Sequence, residues 1–222
     1  MNSQFKDKTI REEIIFISRK MNSSGLNQGT SGNISSRING GLLITPSSMP
    51  YEEMQPSDLV AIDFNGNPHF KNQRKPSSEW QIHSAILRER KEIGAILHCH
   101  SIAATALSCH EKPIPSFHYM TAIAGGNDIR CAPYATFGTR KLSNLALLAL
   151  ENRLACLLAH HGQISLGKNI TNAFNIAVEV ETLAKIYLAA FQLGEPPILG
   201  NSAMNEVHKQ FKKMNYGIKK MN

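Results

Sequence analysis

The chain has 222 residues, 42% of them hydrophobic, enough to bury a full core in one domain spanning residues 1–222. Its net charge of +7 is concentrated in the last stretch, KQFKKMNYGIKK, which reads as a solvated basic tail over residues 206–222, so no nucleic-acid partner is expected. No apolar run reaches the roughly 18 residues of a membrane span, and Cys99, Cys109, Cys131 and Cys156 lack C-x-x-C spacing, so a soluble, unprocessed, cytoplasmic protein with reduced, core-type thiols is expected.

Ile10, Ile14, Ile17 and Met21 fall on one helical face, and Gly25 can close that helix. The polar loop LNQGTSG leads into the strand-like NISSRI. Asn39-Gly40-Gly41 then signals a hairpin to a second strand, LLIT. The loop lacks the Gly-Lys-Ser/Thr ending of a nucleotide P-loop, which argues against ATP or GTP. After the Pro- and Ser-rich TPSSMPYEEMQPSD comes the strand LVAID, the turn Asn65-Gly66-Asn67 and an expected second hairpin ending near Phe70.

KPSSEWQIHSAILRER turns helical, with Ser78 and Gln81 in the places of a capping box and Trp80, Ile86 and Leu87 available to the core. Ser77 and Ser78 at a helix N-terminus also suit a phosphate. Glu79 beside them would repel that phosphate, unless a metal cation lay between carboxylate and substrate.

GAILHCH follows, residues 94–100. On a strand alternate side chains share a face, so His98 and His100 point one way and Cys99 the other. Two converging imidazoles are half a metal site, although a lone His-x-His is often two ordinary histidines. Further donors are available at Glu79 and at the adjacent pair His160-His161, which ends the apolar run LACLLA; spacing alone does not choose within that pair.

SIAATALS is helical, and a proline-broken connection carrying His118 and Tyr119 follows it. Thr139 can cap a helix to about Leu150. LACLLA and QISLG form a hairpin around the histidine pair. The longest helix runs over residues 171–193, with Phe174, Ala177, Val178, Leu183 and Tyr187 on its apolar stripe and Gly194 ending it. Pro196 and Pro197 form a hinge before a last polar helix.

LNQGTSGNIS, ITPSS, PSSEW, HCH, HYM, AGG, CAPYATFGT, HHG and the helix with EVE together resemble the class II aldolase/adducin-head family, in its order and spacing over about residues 10–195, and within it the fuculose-phosphate aldolase branch. The resemblance implies a single α/β domain with a central, mainly antiparallel sheet between helical layers. It also implies a homotetramer with active sites at subunit contacts. One Zn2+ per subunit would be held by Glu79, His98, His100 and His161. A small phosphorylated sugar would be held at Gly32, Asn33, Ser47, Ser48, Ser77 and Ser78, with Phe137 shaping the aldehyde end.

The implied reaction is reversible cleavage of a ketose 1-phosphate, L-fuculose 1-phosphate in this branch, to dihydroxyacetone phosphate and an aldehyde. Glu79 would be the base and Tyr119, from a neighbouring subunit, would hold the proton at the aldehyde oxygen. Two departures stand out. Ser48 occupies a position where that branch usually carries Gly, and Phe211 and Tyr216, of which Tyr216 would help close the substrate site, are spaced more widely than its C-terminal aromatics. Rival activities on the same scaffold are a methylthioribulose-1-phosphate dehydratase and a ribulose-5-phosphate 4-epimerase, where an Asp commonly replaces Glu79. An adducin-like interaction module would have lost the metal histidines.

Overall fold

The structure, a computed structural model, describes residues 8–214 and 216. The apolar stripe near the N-terminus forms α1 (Lys8–Ser23), which buries Ile14, Ile17 and Met21. Asn39-Gly40-Gly41 turns β1 (Asn33–Ile38) back as β2 (Gly41–Ile44), and β3 (Val60–Asp63) pairs antiparallel with β2. The hairpin expected to end near Phe70 does not form a strand. The turn closes through Asp63 N to Asn67 O and His69 N to Ala61 O, both 2.9 Å, around a single antiparallel bridge between Ile62 and Pro68. The Gln73 side chain takes that edge instead, accepting from Ala61 N at 2.7 Å and donating to Ala61 O at 3.1 Å.

The chain continues through α2 (Trp80–Glu89), β4 (Ala95–Cys99), α3 (Ile102–Cys109), β5 (Arg130–Ala132), α4 (Arg140–Ala149), β6 (Ala155–Leu158), β7 (Gly162–Gly167), α5 (Ile170–Phe191) and α6 (Asn201–Lys213). β5 and the 3-10 helix Tyr119–Ala124 lie inside the connection that reads as irregular, since three residues are too few to show alternation. The seven strands form one sheet in the order β3-β2-β1-β4-β7-β6-β5, antiparallel throughout except for β5 beside β6.

Alternation along the strands builds two cores. Leu42, Ile44, Ile62, Ile96 and Ile164 pack beneath α2 and α4, whereas Ile34, Leu43, Ala61 and Leu97 pack against α1 and the first half of α5. Ala155 and Leu157 meet α3 and the rest of α5. This is the single α/β domain with helical layers on both sheet faces. Of the expected basic tail, residues 206–213 are helical in α6, and residues 215 and 217–222 lie outside the described residues. Cys99 and Cys156 are buried, but Cys109, expected in the core, is exposed at the end of α3. Among the described residues no helix is long and apolar enough to cross a membrane.

One buried charge locks this frame next to His100. Glu181 of α5 is 4% exposed and accepts hydrogen bonds from Ala103 N at 3.1 Å and Ala104 N at 3.0 Å, capping α3 from another helix. The residue before α3, Ser101, makes no side-chain cap of its own, and its hydroxyl accepts instead from Gln163 Nε2 at 2.7 Å. Glu181→Ala leaves two N–H groups unpaired and is expected to lower unfolding free energy by about 1–3 kcal/mol, measured by urea denaturation.

Candidate metal centre

Strand β4 and the turn between β6 and β7 deliver the histidines. β4 lies between β1 and β7, with His98 opposite Asn33 on one side and Ile164 on the other. His98 shares its face with Ile96, toward α2, and His100 follows just past the strand end. Between β6 and β7 the chain turns at residues 159–161. His160 takes a left-handed φ of 55° and its ring points outward, 3.3 Å from Glu111 Oε1. The next residue, His161, therefore swings inward. The structure thus separates the adjacent pair, with His161 in the cluster and His160 outside it.

The three rings form a nearly equilateral triangle, with centroids 4.9 Å apart for His98 and His100, 4.8 Å for His98 and His161, and 5.0 Å for His100 and His161. Their donor nitrogens all lie within 4.8 Å of one another. Gly162 permits this closeness, since a Cβ there would lie 2.5 Å from Cys99 O and 2.9 Å from His100 Cδ2. His98 Nδ1 sits 2.9 Å from Gln163 O. A carbonyl only accepts, so Nδ1 carries the hydrogen and Nε2 faces the cluster. Burial lowers the basicity of this ring, but the Glu79 carboxylate beside Nε2 outweighs it and raises its pKa above the ordinary imidazole value.

Glu79, the N-cap residue of α2, supplies the fourth donor. Its Oε2 lies 3.2 Å from His98 Nε2 and its Oε1 3.3 Å from His161 Nε2, and Oε1 accepts no hydrogen bond. Burial alone would raise the Glu79 carboxyl, but the His98 imidazole, with His161 and the Asn33 amide, holds it well below the usual carboxylate range. Burial and the neighbouring imidazoles push His100 down to about 3 and His161 to about 4. Both rings are thus neutral at physiological pH, as ligands must be. Three imidazoles and a carboxylate with an unpartnered buried oxygen fit a divalent cation such as zinc.

A cleft of about 350 Å³ opens over this cluster. Two serine pairs wall it, and the backbone explains their meeting. Pro46 and Pro76 form an antiparallel bridge flanked by Ser47 N to Lys75 O and Ser77 N to Thr45 O, both 3.0 Å. Ser47 and Ser48 are thereby set beside Ser77 and Ser78. The capping box expected of Ser78 and Gln81 is not formed. The helix starts at Trp80, and Ser77 Oγ instead accepts from Glu79 N at 3.3 Å. Ser48 has a φ of 56°, in the left-handed region that favours glycine, and its exposed side chain lines the cleft without closing it.

Gly32, Asn33 and Phe137 also line this cleft. Gly32 has a φ of 74°, and a Cβ there would meet Asn27 Nδ2 and His98 O at 2.7 Å. The Asn33 amide is largely engaged. Its Nδ2 donates to Glu79 Oε2 at 3.1 Å, and its Oδ1 faces His83 Nε2 at 2.5 Å. Tyr119 and Tyr216 lie elsewhere, lining an apolar groove of about 580 Å³ with Leu199, Val207, Phe211 and Met214. No residue lines both the groove and the cleft.

Sequence reasoning missed Asn27, Gln163 and His83. Asn27 ties the glycine loop to the cluster, donating to Ser31 O and accepting from His100 N at 3.4 Å. His83 is 1% exposed, and burial pushes it down to about 3. Its signal was its spacing, one helical turn after Glu79 on the same face of α2. Metal content by elemental analysis separates the paired histidines. His161→Ala is expected to lose metal retained through dialysis, whereas His160→Ala keeps it.

Residues 12–188 match the family described as Class II Aldolase and Adducin N-terminal domain. Over 203 residues, 91% of each chain, the protein is 49% identical to a 5-methylthioribulose-1-phosphate/5-deoxyribulose-1-phosphate aldolase of Rhodospirillum rubrum. It is 45% identical to an L-fuculose phosphate aldolase of Escherichia coli, over 95% of this chain and 96% of that one. A solved L-fuculose 1-phosphate aldolase superposes with a TM-score of 0.90 at 41% identity, covering 95% of this chain and all of that one. With the family matched across most of its length and these relatives spanning nearly all of it, the chain belongs to the class II aldolase and adducin N-terminal domain family.

Proposed function

We propose that the protein is a zinc-dependent class II aldolase. It cleaves a ketose 1-phosphate reversibly between C3 and C4, giving dihydroxyacetone phosphate and an aldehyde. The substrate we assign is L-fuculose 1-phosphate, with L-lactaldehyde as the aldehyde. The observation that carries this reading is the convergence of His98, His100, His161 and Glu79 at the floor of a serine-walled cleft.

A bound zinc ion supplies Lewis-acid stabilisation of the negative charge that develops on the substrate's ketone and hydroxyl oxygens as the carbon–carbon bond breaks. The hydroxyls of Ser47, Ser48, Ser77 and Ser78, with the Gly32 and Asn33 loop, hold the phosphate at the N-terminus of α2. That anchor sets C3 of the bound triose against Glu79. In the direction of synthesis Glu79 removes the C3 proton, and in cleavage it returns one. Phe137, 63% exposed at the cleft, shapes the aldehyde end.

Tyr119 lines none of the cleft, which supports its serving the site of a neighbouring copy, where it holds the proton at the aldehyde oxygen. Tyr216 shares its groove and accompanies it. A homotetramer with sites at subunit contacts accommodates both. The free cysteines accord with a cytoplasmic location.

A second substrate reading is favoured by the Rhodospirillum rubrum relative, namely 5-methylthioribulose 1-phosphate or 5-deoxyribulose 1-phosphate. These share with L-fuculose 1-phosphate the phosphate, the ketone and the bond to be cleaved, so the roles above are unchanged.

Release of dihydroxyacetone phosphate from each of the three, read by coupled NADH oxidation with and without a chelator, tests the reading. Chelator-sensitive release from L-fuculose 1-phosphate is expected, and a higher kcat/KM on a 5-substituted ribulose selects the second substrate. No release from metal-loaded protein on any of them overturns the aldolase and turns attention to dehydratase or epimerase chemistry. Glu79→Gln is expected to lower kcat by about 10²- to 10⁴-fold with the circular dichroism unchanged. A near-normal rate in that variant removes the base assignment.

A further inference from the structure

Beneath Glu79 runs a buried chain of side chains in which Ser35 and His83 have none of the roles above. Ser35, the alternate residue to Asn33 on β1, points to the same sheet face. His83 of α2 sits over both, with Nδ1 2.7 Å from Ser35 Oγ and Nε2 2.5 Å from Asn33 Oδ1. Asn33 Nδ2 completes the line to Glu79 Oε2 at 3.1 Å. All four residues are at most 7% exposed, so water does not compete.

Only one hydrogen-bond direction satisfies every contact. An ionised carboxylate accepts, so Asn33 must present its NH2 group to Glu79, and its carbonyl oxygen therefore faces His83. That oxygen also accepts, so His83 Nε2 carries the hydrogen, and Nδ1 takes the Ser35 hydroxyl hydrogen. Reversing the amide would set Asn33 Oδ1 against Glu79 Oε2, two acceptors in a buried space. Glu79 at one end and the His83 Nε2–H at the other thus both fix which way the Asn33 amide faces.

We propose that His83 is a positioning residue which, with Ser35 fixing its tautomer, locks the Asn33 amide and through it the orientation of the Glu79 carboxylate. The proposal deepens the aldolase reading and, in its catalytic part, rests on it. An unlocked Asn33 lets Glu79 rotate away from the imidazole cluster, weakening it both as metal donor and as base. Ser77 and Ser78 precede Glu79 in the chain, but the side-chain hydrogen bonds of the serine walls run to one another and to Glu79 N, not to Ser35, Asn33 or His83.

The test compares His83→Leu, which fills the space without a donor, with His83→Gln, whose Nε2 can reach the same acceptor. Zinc affinity of the metal-free protein is measured by chelator competition, and kcat and KM with a ketose 1-phosphate that the wild type cleaves. His83→Leu is expected to lose about 10- to 100-fold in zinc affinity and in kcat, with KM within about threefold, the scale of a lost outer partner at a metal site. His83→Gln is expected to recover most of both.

Equal losses in the Gln and Leu variants would assign His83 to packing and overturn the proposal, as would wild-type zinc affinity and kcat in His83→Leu. If His83→Leu does not fold, Ser35→Ala carries the test. It is expected to weaken zinc by severalfold with KM unchanged, and wild-type values overturn the proposal. The zinc arm needs no substrate, so a failure of the aldolase reading leaves it interpretable.

Discussion

Burying a carboxylate costs several kcal/mol unless opposite charge and hydrogen-bond donors surround it, and Glu79 is only 7% exposed. What surrounds it comes from four separate elements: His98 on β4, His161 before β7, Asn33 on β1 and the start of its own helix α2. The pairing of β1, β4 and β7 is therefore bound to the site. A one-residue slip in β4 would send His98 to the α5 face and Cys99 toward Glu79. The same carboxylate leaves Oε1 without a hydrogen bond, so a cation at the imidazoles is its natural complement. Folding and metal binding thus draw on the same group of atoms.

The surrounding frame works by fixing the chain where it leaves each donor. Beyond His100, Glu181 caps α3 and Gln163 holds Ser101, so the exit from β4 has little freedom. Before Glu79, the bridge between Pro46 and Pro76 joins two loops with no regular structure and makes one wall from two serine pairs. Donors held in this way need little reorganisation when substrate arrives. Ser47, Ser48 and Ser78 in that wall stay exposed, whereas Ser77 is buried against the start of α2.

How far the sequence showed this depends on which physical signal each residue left. His98 and His100 were legible because strand alternation is a strict two-residue period. His160 and His161 were not separable by spacing, because the decision lies in a left-handed φ at His160, which a non-glycine residue does not advertise. Ser78 carries a capping pattern, yet the turn closed through Ser77 moves the helix start by one residue. The hairpin after β3 stops at one bridge because the Gln73 side chain takes the Ala61 N–H, a substitute for a strand that no local pattern reveals. His83 reads as an ordinary residue of an amphipathic helix until β1 is known to lie beneath it.

The residues assigned to the aldehyde end differ in kind from those at the metal end. Phe137, Tyr119 and Tyr216 are 63%, 50% and 48% exposed and sit on loops, a 3-10 helix or the C-terminal segment, not on the central strands. Bond cleavage needs its donors placed within a fraction of an ångström, which buried strands and hydrogen-bond chains can provide. Recognition of the aldehyde needs only a surface of suitable shape, and exposed loops can change that surface without disturbing the buried pairs. A family built in this way can keep one way of breaking the carbon–carbon bond while its members accept different sugars. On the proposed reading, the substrate of this chain is accordingly decided at those exposed aromatic side chains, and the reaction at Glu79 and the three histidines.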